Sequence, residues 1–161
     1  PTRPVGYAAG AASGDLFTGG DRVAFFVMDY SSGISVWTKS CTGTGIVYAA
    51  WIAVDSSVNI YTTGDVTHTA DFDPGAGTAN LTSNGNTDAF VSKLDSSGNY
   101  VWAKSFDSHG SGPMGMSVAV DSSGNVYTTG YFSGTADFDP GAGTANITSS
   151  NAQNEVDLSK M

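Results

Sequence analysis

The chain carries one segment twice, and this duplication constrains its fold more than any other feature. Residues 53–83 read AVDSSVNIYTTGDVTHTADFDPGAGTANLTS, and residues 119–149 read AVDSSGNVYTTGYFSGTADFDPGAGTANITS. The two copies differ at 7 of 31 positions and lie 66 residues apart. A segment repeated at a fixed interval is typical of repeat architectures, in which each unit buries its faces by stacking on the next. We therefore expect stacked units and not one undivided core.

Turn-forming residues, not helix formers, give the sequence its polarity. Hydrophobic residues make up 40% of the chain and charged residues only 13%, so the chain contains enough apolar surface to fold. The remaining polarity comes from Gly, Ser, Thr, Asn and Asp, which favour turns. No segment has the period of an amphipathic helix. The sequence therefore predicts an all-β fold.

Each unit contains short strand candidates separated by turn signals. The chain reads as one repeat domain of residues 1–161, divided into a degenerate unit at 6–45, a second at 46–110 and a third at 111–161. The predicted strands are 46–54, 59–63, 89–94 and 100–106 in the middle unit, and 116–120, 126–129 and 155–161 in the third, which lacks the fourth strand. The first unit lacks the DFDPGAGT segment, so we predict that this segment is an elaborated loop that a unit does not need for folding.

The DSSGN links between strands predict hairpin loops. In these loops Gly98 and Gly124 supply the residue of positive φ that a type I turn followed by a bulge requires. Val58 stands at this position in the first copy of the repeat. We therefore expect backbone strain, or a different turn, at Val58.

One run of residues resembles a known family. AVDSSGNVYTTGYFSGTADFDPGAGT at 119–144, together with DAFVSKLDSSGNYVWAKSF at 88–106, is similar to the SBBP-type β-propeller repeat. The resemblance covers most of 46–161 and, more weakly, 8–45. It implies four-stranded propeller blades, a secreted or surface-exposed bacterial protein, and no assigned chemistry. Recurring aromatic residues and closely spaced turns agree with blades. The chain departs from the pattern in its first unit and by ending within a blade.

The number of units predicts association. A propeller ring needs about 4–8 blades, and this chain supplies about three. The chain is then either a part of a longer propeller or one of several copies that close a ring together. We favour a homo-oligomer, specifically a dimer with six blades per ring. In this arrangement Thr2–Val5 would complete the last blade of a neighbouring copy, and Pro1 and Pro4 suit an outermost strand.

Charge and composition exclude several partners. The formal charge of −9 argues against nucleic acid and against an anionic membrane surface, because both require Lys and Arg. No apolar run has the length of a membrane span, and no signal peptide is present, so we expect a cytosolic chain, an already processed chain or a piece of a larger protein. The single cysteine, Cys41, cannot form an intrachain disulfide and is predicted to be a small buried hydrophobic residue.

The DFDPG segments are the sharpest candidate sites. Asp71 and Asp73, with their twins Asp137 and Asp139, place two carboxylates two residues apart beside flexible glycines. Calcium binds such oxygen ligands, although the spacing lacks a third acidic ligand. Calcium is the one cofactor that these residues suggest, and we expect the protein to require none. The alternative is a strand at 69–73, whose Ala70 and Phe72 face the core, closed by an Asp-Pro-Gly turn.

Two tryptophans recur in the fourth strand of their units. Trp37 and Trp102 predict either packing between units, with Lys39 and Lys104 covering the indoles, or a platform on which a sugar or peptide ligand stacks. His68 has no histidine counterpart in the other copy, so we expect it, like His109, to be an exposed loop residue.

The leading functional hypothesis is a non-catalytic propeller module that acts as a binding or assembly scaffold for a carbohydrate or protein ligand. The alternative is a carbohydrate-active hydrolase that uses Asp71, Asp73, Asp137 or Asp139 as an acid–base pair. The same carboxylate pair occurs in two units, whereas an active site is usually built once. We therefore predict no catalytic residue in this chain.

Overall fold

The computed structural model describes the backbone of residues 4–12, 23–30, 35–107, 114–150 and 155–160, and the side chains of 37–107 and 115–150. These segments form antiparallel sheets, and the described part of the chain contains no helix. Its strands are β1 (Pro4–Ala12), β2 (Val23–Tyr30), β3 (Ser35–Ser40), β4 (Thr42–Gly43), β5 (Val47–Val54), β6 (Ile60–Val66), β7 (Thr69–Asp71), β8 (Asn80–Thr82), β9 (Asp88–Leu94), β10 (Tyr100–Phe106), β11 (Met114–Val120), β12 (Val126–Phe132), β13 (Thr135–Asp137), β14 (Asn146–Thr148) and β15 (Glu155–Lys160). The predicted all-β fold is confirmed.

The middle unit forms one four-stranded sheet in the order β10-β9-β6-β5. Its two central strands are almost continuously buried, which explains why IYTTGDV and DAFVSKL contain apolar, β-branched and small residues at successive positions. All four strands predicted for this unit are present. The start of the unit's third strand is Asp88, one residue before the predicted start.

The first and third units form three-stranded sheets, β1-β2-β3 and β11-β12-β15. The three strands predicted for the third unit are all present. Pro4 and Val5 begin β1, and β1 pairs with β2 of its own unit. The prediction that Thr2–Val5 completes the last blade of a neighbouring copy does not agree with this pairing of Pro4 and Val5 within their own unit, where the Gly- and Ala-rich residues after Val5 continue the same strand. Thr2 lies outside the described residues.

The DFDPG segment forms a small hairpin in each copy. In the middle unit β7 pairs with β8, and the hairpin also pairs with β4, which directly follows the last strand of the first unit. Ala70 and Phe72 are 0% and 1% exposed, as the strand alternative predicted. The prediction of a mere loop elaboration is therefore wrong, because this hairpin adds buried side chains and a strand pairing that joins two units.

The sheets stack through two hydrophobic joints. Strand β5 of the middle sheet contacts both β1 and β11, so the middle sheet has a neighbouring unit on each side. The first joint, between the first and middle units, contains Cys41, Val47, Ala49, Val66, Ala70, Phe72, Phe90, Leu94 and Ala103, with Trp37 at its edge. The second joint, between the middle and third units, contains Tyr61, Ala89, Val91, Phe106, Val118 and Val126, with Trp102 and Phe138 at its edge.

The strand-connecting loops share one conformation. Gly98 and Gly124 have φ of 77° and 83°, which confirms the predicted positive-φ positions. Val58 has φ of 66° and makes the same turn hydrogen bond, from its N–H to the Asp55 carbonyl at 3.0 Å. A β-branched residue is rarely found in this region of φ. Of the two expectations for Val58, the structure therefore shows strain and not a different turn.

Candidate functional site

A polar groove at the second joint brings several predicted site residues together. It has a volume of about 360 Å³ and lies between the outer strand β10 and the DFDPG hairpin of the third unit. Its lining consists of Leu81, Ala103, Lys104, Ser105, Asp107, Asp137, Asp139, Pro140, Gly141, Ala142 and Gly143. Three carboxylates face one lysine in this set, so the groove is electronegative. It suits a ligand that donates hydrogen bonds or carries positive charge.

The carboxylates of the third-unit hairpin hold their own loop. Asp137 Oδ1 accepts hydrogen bonds from the backbone N–H groups of Ala145, at 2.8 Å, and Asp139, at 3.0 Å. Asp139 Oδ1 accepts one from the N–H of Gly141 at 2.7 Å. The hydrogen bonds from Ala145 and Asp139 lower the pKa of Asp137, because they stabilise its ionised form. The Asp137 carboxylate therefore stays ionised, and the hydrogen bonds of both side chains order the loop.

The hairpin of the middle unit repeats this network. Asp71 Oδ1 accepts from the N–H groups of Asp73 and Ala79, at 3.0 and 2.8 Å, and Asp73 Oδ1 accepts from Gly75 at 2.7 Å. A Cβ at Gly77 would collide with Asp73 Oδ2. The GAG sequence therefore follows from the close approach of a carboxylate to the backbone. This geometry agrees with the turn alternative of the sequence analysis.

The same geometry limits what these hairpins could hold. Each hairpin brings two of the predicted calcium ligands together, Asp71 with Asp73 and Asp137 with Asp139. In the described part of the chain, no group of three or more His, Cys, Asp or Glu side chains is arranged to hold a metal ion. The calcium site therefore stays a prediction, and any such ion would need carbonyl or water oxygens to complete its coordination.

Asp107 is a groove residue that the sequence analysis did not single out. Its carbonyl accepts a hydrogen bond from the N–H of Asp137 at 2.8 Å, and its Oδ2 accepts one from Asn84 Nδ2 at 3.0 Å. It therefore links the hairpins of both units to the end of β10. Its position in the repeat could have drawn attention to it, because Asp107 directly follows the outer strand. At the equivalent position in the first unit, Thr42 pairs with Asp71 of the hairpin.

Both predicted stacking tryptophans are half-buried at joints. Trp37 Nε1 donates to the carbonyl of Ser96 at 3.3 Å, and its indole covers Gly98 in the loop of the next unit. Trp102 contacts the ring of Tyr61 edge-on, with centroids 6.2 Å apart. These contacts match the packing alternative, and ligand stacking stays a prediction for the accessible part of each indole.

A lysine that the sequence analysis did not single out covers an aromatic ring. Lys93 Nζ lies 4.9 Å from the centroid of Tyr61. Lys39 lies beside Gly98 and lowers the pKa of Asp95 as a minor contribution, after the hydrogen bonds from Asn99. Lys104 is exposed and lines the groove.

Asp65 is a buried carboxylate that sequence reasoning missed. It is 8% exposed, and its Oδ1 has no hydrogen-bond partner in the described structure. Burial raises its pKa to about 6, and a hydrogen bond from the backbone N–H of Gly115, across the second joint, opposes this rise. The signal in the sequence was its twin Tyr131, since a carboxylate and a phenol rarely replace each other at a buried position.

Cys41 and His68 lie in the environments that the sequence analysis predicted. Cys41 is buried, as predicted, and burial together with the nearby charge of Asp71 raises the pKa of its thiol to about 12, so it is a poor nucleophile. His68 is exposed, as predicted, with φ of 52°. His109 lies outside the described residues.

Comparison with known proteins adds no identification. No protein-family model matches the chain, and no curated protein matches it significantly. Within the described segments, no helix has the length and apolarity needed to span a bilayer.

Proposed function

We propose that the chain is a non-catalytic propeller module that acts as a binding or assembly scaffold. The observation that carries this proposal is the four-stranded antiparallel sheet of the middle unit, which is covered on both faces by neighbouring units. Stacking of four-stranded sheets face to face is how propeller blades bury their apolar residues. The resemblance to SBBP repeats extends the proposal to a secreted or surface-exposed bacterial protein.

The inner edges of the sheets support this proposal. Strands β5 and β11 each carry an irregularity in pairing, at Ala50 and at Met116, which are equivalent positions of the repeat. Bulges increase strand twist and are usual where strands curve around a ring. In a propeller these strands would line the central channel, and Trp51 on β5 is 56% exposed there.

We assign ligand binding to the groove at the second joint. Its lysine, serine and three carboxylates can exchange hydrogen bonds with a hydroxyl-rich ligand, and Leu81 and Pro140 supply apolar contact. Sugars present both hydroxyl groups and apolar ring faces, so a carbohydrate is the favoured ligand and a protein loop with basic residues the second.

The alternative hydrolase would use Asp137 and Asp139 in this groove. A glycosidase needs one carboxyl group with a raised pKa to protonate the leaving group. The pKa of Asp137 is instead lowered, and its Oδ1 and that of Asp139 accept backbone hydrogen bonds. These observations favour binding without turnover.

A glycan array and a panel of chromogenic glycosides would separate the two functions. We expect binding without hydrolysis, weakened by Lys104→Ala and by Ser105→Arg. Thr78→Arg, an exposed change in the middle-unit hairpin outside the groove lining, is the matched control and should bind normally. Hydrolysis that disappears in Asp139→Asn would refute the non-catalytic proposal in favour of the enzyme.

We further propose that two copies complete one six-bladed ring. The chain supplies three stacked sheets, whereas a propeller ring needs about 4–8 blades. In addition, Ile147 on the hairpin of the third unit is 43% exposed, although the equivalent Leu81 packs against the first joint. Light scattering should give twice the 16.4 kDa chain mass at micromolar concentration. A compact monomer would refute this arrangement.

A further inference from the structure

Asn84 and Gly85 form the only Asn-Gly dipeptide of the sequence. They lie in the loop between β8 and β9, and both residues are exposed. In such a dipeptide the backbone nitrogen of the glycine can attack the side-chain carbonyl carbon of the asparagine, because glycine has no Cβ to hinder the approach. This loop is therefore the position in the chain where spontaneous deamidation meets the least hindrance.

The other asparagines of the chain are followed by residues that carry a side chain. Isoleucine follows Asn59, tyrosine follows Asn99 and valine follows Asn125. A branched or aromatic side chain on the next residue crowds the attacking nitrogen. In the third unit, Ser150 stands at the position of Asn84, and the residue after it is not glycine. The dipeptide is thus specific to the middle unit.

Asn84 connects its loop to two carboxylates. Its backbone N–H donates to Asp88 Oδ2 at 3.1 Å, and its side-chain Nδ2 donates to Asp107 Oδ2 at 3.0 Å. Asp88 is buried at the start of β9. Asp107 follows β10, and its carbonyl accepts the N–H of Asp137. The side-chain amide of Asn84 is therefore a donor that joins the middle-unit hairpin to the second joint.

We propose that Asn84 is a deamidation site and that its conversion breaks the hydrogen bond to Asp107. The Gly85 nitrogen forms a bond to the side-chain carbonyl carbon of Asn84, the bond from that carbon to Nδ2 breaks, and the proton of the Gly85 nitrogen leaves with the amide NH2 as ammonia. Water then opens the cyclic succinimide at either carbonyl, which leaves aspartate or isoaspartate at position 84. Both products carry an ionised carboxylate, which accepts hydrogen bonds but cannot donate one.

The new negative charge lies against an existing one. A donor 3.0 Å from Asp107 Oδ2 is replaced by a carboxylate oxygen, so an attractive contact becomes a repulsive one. Isoaspartate also inserts a methylene into the main chain, which displaces the N–H that donates to Asp88. Since Asp107 lines the groove, the modification loosens one wall of the groove at the second joint. It needs neither a ligand nor a second copy of the chain.

Mass spectrometry of the full chain, incubated at neutral and mildly alkaline pH, tests the modification. We expect the peptide that contains Asn84 to gain the mass of an exchange of NH2 for OH, at a rate that rises with hydroxide concentration. Gly85→Ala should slow this gain by about tenfold. Gly85 does not have a positive φ, so alanine fits its backbone. The chain unfolded in urea is the positive control. If the unfolded chain deamidates at Asn84 and the folded chain does not, the loop prevents ring closure and the proposal is overturned.

Urea unfolding separates the lost donor from the added charge. Asn84→Ser removes the donor alone and Asn84→Asp also adds the charge, so the urea midpoint should fall in both variants and further in the second. Asn86→Asp adds the same charge at an exposed position of the same loop and, as the matched control, should keep the wild-type midpoint. Asn84→Asp combined with Asp107→Asn exchanges acceptor and donor and should recover most of the loss. A double variant no more stable than Asn84→Asp, or equal midpoints for Asn84→Asp and Asn86→Asp, would overturn the link to Asp107.

Discussion

Replacing Val58 by glycine should stabilise the protein, although it removes a half-buried side chain. Val58 has φ of 66°, while its twin Gly124 and the equivalent loop residue Gly98 have φ of 83° and 77°. The loop is otherwise the same in all three places. In each, an aspartate Oδ1 accepts N–H groups two and four residues later, for example from Ser57 and Asn59 to Asp55 at 2.9 Å. The valine is thus held in a glycine conformation.

The magnitude follows from three opposing terms. Relief of the strained φ of a β-branched residue contributes about 1–3 kcal/mol. The greater freedom of glycine in the unfolded chain costs about 0.4–1 kcal/mol, and the lost partial burial of the valine costs about 0.5 kcal/mol. The net expectation is that Val58→Gly raises the free energy of unfolding by about 1 kcal/mol, or the Tm by about 2–4 °C.

Urea unfolding at fixed protein concentration measures this change, since any dimer makes stability concentration-dependent. Gly124→Val is the matched reverse experiment, because a Cβ there meets no atom within 4 Å, so the change introduces backbone strain without a steric clash. Gly98→Val should be worse, because its Cβ would lie 3.0 Å from two carbons of the Trp37 indole. If Gly124→Val destabilises the protein but Val58→Gly does not stabilise it, the strain argument is refuted.

Three further changes test the titratable and strained residues. Burial raises the native pKa of Asp65 to about 6, so the protonated side chain stabilises the fold at low pH. This stabilisation is lost as the pH rises from about 4 through 6. Asp65→Asn should therefore remove the pH dependence of the urea midpoint over this range and raise the free energy of unfolding at pH 7 by on the order of 2 kcal/mol. If the Asp137 carboxylate only holds its loop, Asp137→Ala should lower the urea midpoint by the same amount in EDTA and in calcium. Calcium binding that is detected by calorimetry and abolished by this substitution would support the metal site instead. His68→Gly should stabilise less than Val58→Gly, because histidine is not β-branched, and an equal gain in thermal unfolding would contradict this ranking.

The repeat made the strands and turns predictable, because both depend on local patterns. Residues 100–106 alternate as a strand should, and the glycine of each DSSGN loop marks its positive φ. The pairing of the DFDPG hairpin with β4 was not predictable, because that strand has only two residues and belongs to the preceding unit. The buried state of Asp65 was equally hidden, since it depends on the approach of Gly115 from 50 residues away.

The residues of the groove were predictable only where they depend on a local sequence pattern. Asp137 and Asp139 were recognised from their spacing, which is a local property. Asp107 and Lys104 join them only because β10 of one unit lies against the hairpin of the next. A site between two repeat units takes its residues from both units. Aligning the two copies of the repeat cannot reveal which residues of one unit come into contact with which residues of the next.

The two joints show how nearly identical loops can enclose different cores. In the first joint Phe72 packs against Phe90, with ring centroids 4.8 Å apart, and Val66 and Cys41 complete the contact. In the second joint, Phe138 packs instead against Phe132 and Phe106, with centroids 5.1 and 5.9 Å apart.

The residue differences between the two joints compensate one another in side-chain volume. The third unit has Asp157 where the middle unit has Phe90, so one aromatic ring is lost from its sheet. Phe132 in place of Val66, and Phe106 in place of Cys41, return apolar volume on the strands that flank the same hairpin. Since interiors are packed to near-crystalline density, such compensated changes make each joint specific for its own pair of units. A chain whose joints differ in this way has a defined order of units, because each joint accepts only the pair of side-chain sets that fills it.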